Sequence, residues 1–96
     1  MEAKKAAAYD AAEFLDTDED IVAYLNAALE HGDPSLVSAA LGDVARARGM
    51  TQLAHETGIT RDGLYKALSP SGNPSFATVQ KVVRALGYKF DVAVAV

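Results

Sequence analysis

Apolar residues recur at helical spacing in three long segments of the chain. The three stripes are Ile21, Leu25, Ala28 and Leu29; Leu36, Val37, Ala40, Leu41 and Val44; and Phe76, Val79, Val83 and Leu86. A period near 3.6 is typical of amphipathic helices that bury one face. Thr17, Asp33 and Ser75 precede the stripes as N-cap residues, and a glycine follows each stripe. The pattern therefore predicts three amphipathic helices.

Two shorter helices are predicted between the second and third stripes, in "MTQLAHETGITRDGLYKAL". Thr51 is expected to cap the first helix, and Thr60 the second. Gly58 supplies a left-handed stop between them. Ile59 and Leu64 are expected to point into the core. A short turn with glycine between two short helices predicts a helix-turn-helix over residues 51–68. Gly42, inside the second stripe, costs ~1 kcal/mol relative to alanine in a helix, which indicates close packing or a break there.

The C-terminal stretch "YKFDVAVAV" alternates between two faces, and this alternation predicts a β-strand. Tyr88, Phe90, Val92 and Val94 share one face of it. A single strand has no ladder partner in its own chain, so these residues are expected to pair with a second copy or with a partner's sheet; a disordered tail is the alternative. The expected fold is all-α, with five helices and a C-terminal β-strand. Its parts are an N-terminal arm (residues 1–16), a helical domain (residues 17–87) and the strand (residues 88–96).

Charge divides the 96-residue chain into two unlike halves. Residues 1–45 carry ten acidic residues and two lysines, a balance of −8, and residues 46–96 carry seven basic and three acidic residues, a balance of +4. Such asymmetry suggests two surfaces with different partners. Simple solvation of both halves is the alternative explanation.

The composition argues against several classes of protein. The chain has no cysteine and two histidines far apart, so we expect no metal site. It has neither a glycine-rich phosphate loop nor a histidine spaced with a nucleophile, so we expect no enzyme and no cofactor. No apolar run is long enough for a membrane span or a signal peptide, and we expect a cytoplasmic protein.

The outward face of the second short helix carries the candidate DNA chemistry. Side chains at the N-terminal end of such a helix are the ones that reach base edges. The candidates for base contacts are Arg61, Asp62, Tyr65 and Lys66, with Asp62 expected to pair with Lys66. The candidates for phosphate contacts are Thr51, Gln52, Thr60, Ser69, Ser71 and Asn73.

The stretch "MTQLAHETGITRDGLYKALSPSGNPSFATVQKVVRALGYKF" resembles the helix-turn-helix of addiction-module antidote proteins, small Xre-type, HigA-like antitoxins related to phage repressors. The similarity covers roughly residues 10–90, and "GLYKALSPSGNPSFATV" is its most specific part. The resemblance implies a lambda-repressor-like domain that represses its own operon. It also implies a partner, a small basic toxin of the RelE/ParE fold.

The acidic N-terminal half is the natural face for a basic toxin. Candidate contacts there are Glu13, Phe14, Asp16, Tyr24 and Glu30, although Phe14 and Tyr24 also suit a core. Two recognition helices on an operator palindrome require a dimer, so we expect a homodimer. The alternatives are a phage-type repressor without a toxin partner, and a protein-interaction module that no longer binds DNA.

Overall fold

The computed structural model describes residues 11–96. A short 3₁₀ turn (Ala11–Phe14) leads into five α-helices, namely α1 (Asp18–His31), α2 (Pro34–Arg48), α3 (Met50–Thr57), α4 (Arg61–Ala67) and α5 (Phe76–Ala85). The all-α class and the five helices of the prediction are confirmed. Of the predicted arm, residues 1–10 lie outside the described part. Within residues 11–96, no helix has the length and apolar character needed to cross a membrane.

Side-chain caps start four of the five helices. In each case the cap residue accepts a hydrogen bond from a backbone N–H of the first turn, at 3.0 or 3.1 Å, which satisfies a donor that the helix itself leaves unpaired. These caps are the predicted ones, Thr17, Asp33, Thr60 and Ser75. The starts of these four helices are therefore predictable from single cap residues.

The predicted cap at Thr51 is wrong. Helix α3 begins at Met50, and Gly49 occupies the cap position without a side-chain hydrogen bond. Gly49 alone separates α2 from α3 and adopts φ 115°, a left-handed conformation in which glycine is favoured. Thr51 therefore lies inside the first turn of α3, where its side chain is exposed.

One hydrophobic core joins all five helices. Leu64 of α4 is completely buried at its centre. The other buried side chains of this core come from every helix and include Ile21, Leu41, Val44, Leu53, Val82, Val83 and Leu86. Burying a side chain of this size stabilises a fold by about 1.5–3 kcal/mol relative to leaving it in water. The core therefore fixes α4 with its opposite face towards solvent.

Helix α2 crosses the end of α4 at very short range. A β-carbon built on Gly42 would lie 2.1 Å from the backbone oxygen of Leu68, the residue that ends α4. No side chain fits between the two helices at this point. Of the two readings of Gly42, close packing and a break in the helix, close packing is the one found, since α2 continues unbroken through this residue.

The predicted C-terminal strand is wrong, because residues 11–96 contain no β-strand. The Tyr88 N–H donates to the Val83 carbonyl at 3.0 Å, so that Tyr88 closes helix α5 beyond the left-handed Gly87. The Phe90 ring lies 5.8 Å from the ring of Phe76, centroid to centroid.

Farther along the segment predicted as a strand, the Asp91 carboxylate accepts a hydrogen bond from the Val92 N–H at 3.0 Å. Such a local bond competes with a ladder for the backbone donor. Val92 and Val94 are 93% and 90% exposed, so they pack on almost nothing among residues 11–96. Alternation alone indicated a strand, but a strand also needs a neighbour, and the described chain offers none.

A polar cluster ties both ends of the helical domain together. Arg48 Nη2 at the end of α2 donates to Asp18 Oδ1 at 3.1 Å and to the Tyr88 hydroxyl at 2.7 Å. The Tyr88 hydroxyl in turn donates to Asp18 Oδ1 at 2.7 Å. Burial, followed by the bond to Asp18, raises the pKa of Tyr88 above its ordinary value of 10.0. This cluster holds the start of α1, the end of α2 and the residue after α5 in one place.

Candidate nucleic-acid interface

The connection between α3 and α4 is a tight turn of three residues, Gly58, Ile59 and Thr60. Gly58 has φ 76°, and its N–H donates to the Ala54 carbonyl at 3.0 Å. The buried Thr57 hydroxyl donates to the Leu53 carbonyl at 2.9 Å and accepts from the Ile59 N–H at 3.2 Å. These bonds fix the direction in which the chain enters α4. The predicted positions of Gly58, Ile59 and Leu64 in the turn and core are confirmed.

The four candidate base-reading residues lie together on the exposed face of α4. Arg61, Asp62, Tyr65 and Lys66 are all exposed, opposite the buried Leu64. The Arg61 guanidinium carbon lies 5.6 Å from the centroid of the Tyr65 ring, within cation–π range. The expected ion pair between Asp62 and Lys66 is not among those formed in the described part of the chain. The aromatic ring of Tyr65, one turn along the helix, is the contact that restrains Arg61.

The candidate phosphate-contacting residues differ in how far their polar groups are engaged. Gln52 is exposed at the start of α3, and its amide donates to Glu56 at 2.9 Å. The Thr60 hydroxyl is the cap of α4, and the Ser69 hydroxyl donates to the Lys66 carbonyl at 2.9 Å. The remaining candidates are exposed at the protein surface, namely Thr51, Ser71 and Asn73.

The loop after α4 is folded back tightly against that helix. Gly72 donates its N–H to the Ser69 carbonyl at 2.9 Å. A β-carbon on Gly72 would lie 2.3 Å from the Ala67 oxygen and 2.5 Å from the Lys66 oxygen, so any larger residue would push the loop away. The close approach keeps Ser71 and Asn73 beside the C-terminal end of α4.

The candidate toxin-contacting residues do not form one cluster. Glu13, Phe14 and Asp16 are exposed before α1, whereas Glu30 is exposed near the other end of that helix. At a rise of 1.5 Å per residue, Glu30 lies about 18 Å along the axis from the first residue of α1. The Tyr24 hydroxyl donates to Asp43 and so links α1 to α2. Tyr24 therefore has a structural role, and its contact with a toxin stays a prediction.

The structure also contains an apolar groove that the sequence did not reveal. Its walls are α1, α2 and the residues after α5, and it has a volume of about 230 Å³. We call it the α1 groove. Its lining is mainly apolar and includes Val22, Leu25, Leu29, Val37, Leu41 and Phe90. The chain after α5 supplies one wall of the groove. Because the sequence predicts a β-strand for this segment, it gives no indication of the groove.

Taken together, the fold is a small all-α domain with an exposed basic and aromatic helix face at one site and an apolar groove at another. Residues 5–94 match the model of a family described as probable addiction module antidote protein. The chain is also 54% identical over 84 residues to an uncharacterized protein of Haemophilus influenzae, an alignment that covers 88% of this chain and 87% of that protein. No solved structure matches it. The chain belongs to the family of probable addiction module antidote proteins, and this membership implies a toxin as its partner.

Proposed function

We propose that this protein is the antitoxin of a type II toxin–antitoxin module that acts in the cytoplasm. In this proposal it binds and neutralises a small basic toxin of the RelE/ParE fold, and it represses its own operon through sequence-specific binding to DNA. Membership of the antidote family supports the first activity. The exposed face of α4 supports the second, and it is the observation that carries the DNA proposal.

In the DNA-bound state, α4 lies in the major groove, and its first turn faces the base edges. Arg61 donates to the O6 and N7 atoms of a guanine, a bidentate contact worth ~1–3 kcal/mol of discrimination. The Tyr65 ring beneath the guanidinium reduces the freedom that Arg61 loses on binding. Lys66 contacts a base or a phosphate. Asp62, which forms no ion pair with Lys66, accepts from a cytosine amine.

The exposed residues on either side of α4 anchor the DNA backbone in this proposal. Thr51 and Gln52 lie in the first turn of α3, and Ser71 and Asn73 lie in the loop that Gly72 holds against α4. Phosphate contacts of this kind set register and affinity, while base contacts set sequence preference. A homodimer then places two α4 helices one turn of DNA apart on a palindrome.

The DNA proposal is tested by a mobility-shift titration with DNA from immediately upstream of the gene, at about 0.05 and 0.2 M salt. Arg61→Ala is expected to weaken binding by roughly ten- to a hundredfold and to reduce sequence preference. Lys89→Ala removes the same charge from an exposed position beside the α1 groove, and is expected to change affinity by about twofold at most. Equal losses in both variants, or no binding at low salt, would refute the assignment.

The toxin proposal is tested by coexpression with the neighbouring gene of the operon. A basic product that arrests growth alone, and that co-purifies with this chain when growth is restored, is the expected result. Membership of the antidote family argues against the alternative of a repressor without a toxin. Growth arrest that this chain does not relieve would support that alternative.

A further inference from the structure

Several apolar side chains that line the α1 groove are partly exposed to water. Val22 is 42% exposed, Leu29 is 44% exposed, and Phe90, on the opposite wall, is 37% exposed. These residues are continuous with the buried Leu41 at the floor of the groove. A contiguous apolar patch with polar residues at its rim is typical of a protein-binding surface.

The charges around the groove indicate what kind of partner fits it. Helix α1, one of its walls, contains four acidic residues and no lysine or arginine. Helical phase places Glu19 next to Val22, three residues on, and Glu30 next to Asn26, four residues back, which also lines the groove; both acids are exposed on its solvent side. Asp91 lies on the opposite wall, and Lys89 and Arg84 lie at the end near Val22. The long solvent-facing side is therefore acidic, and the basic charge is confined to one end.

A second copy of this chain is a poor occupant for the same reason. Pairing two α1 surfaces would bring Glu19 and Glu30 towards the acidic side chains of the other α1, and like charges at an interface oppose association. An apolar segment with lysine or arginine beside it would instead bury Val22 and Leu29 while its cations meet the acidic side. The charge balance thus favours a basic partner over self-association.

We propose that the α1 groove receives an apolar segment of the basic toxin, whose flanking lysines or arginines lie against Glu19 and Glu30. This inference rests on the proposed toxin binding and adds its location. Of the toxin contacts expected from the sequence it retains Glu30, and it does not use Glu13, Phe14, Asp16 and Tyr24. Leu29 and Val22 are the anchoring contacts. The acidic side chains steer the toxin and set its orientation.

The test compares two leucines of nearly equal exposure. Leu29→Asp changes the groove, and Leu36→Asp changes a 39% exposed leucine of α2 that does not line it. The probe is the purified basic product of the neighbouring gene, titrated by calorimetry. Leu29→Asp is expected to raise the Kd by about thirtyfold or more, as for a central interface anchor, and Leu36→Asp by about twofold at most. Glu30→Lys is expected to slow association and to weaken its salt dependence.

The outcomes separate this inference from the proposed function. Equal toxin affinity for wild type, Leu29→Asp and Leu36→Asp would overturn the groove assignment and leave toxin binding intact, whereas a wild type that does not bind would overturn both. Sedimentation without toxin tests the other occupant: a fall in mass for Leu29→Asp alone would show that a second copy fills the groove. Unaltered circular dichroism and operator binding verify the fold of Leu29→Asp, and Val22→Asp repeats the test at a second exposed position.

Discussion

Replacing Gly42 with alanine tests the contact between α2 and α4 most directly. The new methyl group would lie 2.1 Å from the Leu68 oxygen, whereas ordinary contact begins at 3.4 Å. The helices must therefore separate by about 1.3 Å, and the contacting atom is backbone that cannot rotate away. Overpacking of this kind costs about 1–3 kcal/mol, and we take the upper value because the clash is between the interior of α2 and the backbone that ends α4.

Alanine has a higher helix propensity than glycine, which offsets about 1 kcal/mol of this cost. The net loss in the free energy of unfolding is then about 2 kcal/mol, equivalent to a fall in Tm of about 8–16 °C for a domain of this size. Gly63→Ala in α4 is the matched comparison. Its methyl group would meet Thr60 Oγ1 at 3.0 Å and Ile59 Cγ2 at 3.3 Å, side-chain atoms that need to move by only a few tenths of an ångström, a shift small enough to keep the Thr60 cap. We expect its stability to stay within about 1 kcal/mol of wild type.

The assay is urea unfolding followed by circular dichroism, together with operator binding of the folded variants. Gly42→Ala is expected to lower the midpoint and, because it displaces α4, to weaken DNA binding as well. A Gly42→Ala protein as stable as wild type would refute the described packing of α2 on Leu68.

Three further changes test the cluster, a cap and the turn. Tyr88→Phe removes the bonds to Asp18 and Arg48 and is expected to cost about 1 kcal/mol in urea unfolding at pH 7. Because the pKa of Tyr88 is raised in the folded state, the wild type keeps this contribution below pH 10.0 and loses it as pH rises through the folded-state pKa. A stability difference between wild type and Tyr88→Phe that stays unchanged at high pH would contradict this. Asp33→Ala is expected to lower the Tm at neutral pH. The pKa of Asp33 is lowered from 3.8, mainly because its carboxylate accepts a hydrogen bond from the backbone N–H of Ser35. The difference in Tm between wild type and Asp33→Ala should therefore shrink in thermal unfolding below pH 3.8, as the carboxylate protonates in the folded state. Thr57→Val keeps the shape but leaves the Ile59 N–H without its partner, and should cost about 1–3 kcal/mol by urea unfolding, while Thr57→Ser should retain most of the bond.

The parts of the fold that could be predicted from the sequence are those encoded locally. Thr17, Asp33, Thr60 and Ser75 each cap a helix through an N–H two or three residues away, and Gly58 supplies its own turn. The predicted cap at Thr51 is wrong although Thr51 fits the same local rule, because the left-handed Gly49 turns the chain into α3 two residues earlier. The exposed face of α4 followed from helical spacing alone.

Features that depend on distant residues could not be predicted in this way. Asp18 and Tyr88 are separated by 70 positions, yet they bond to each other directly and share Arg48, and no spacing rule links them. The predicted C-terminal strand is wrong for the same reason. Alternation of side chains describes one strand but does not indicate a neighbouring strand for it to pair with. The α1 groove needs the true path of residues 88–91 for one of its walls, so it became visible only with the structure.

Helix α2 is shared by two surfaces through adjacent residues. Leu41 lies at the floor of the α1 groove, and Gly42 rests against the end of α4 without room for a methyl group. A ligand in the groove that pushes α2 towards α4 is therefore expected to move the helix assigned to DNA as well, because the contact leaves no room to absorb the shift. Thermodynamic linkage then makes the effect mutual: whatever factor the groove's ligand applies to operator affinity, the operator applies to that ligand. Under the proposed assignments, the absence of a side chain at position 42 links the α1 groove to the helix assigned to DNA, and the affinities for toxin and operator are expected to change together.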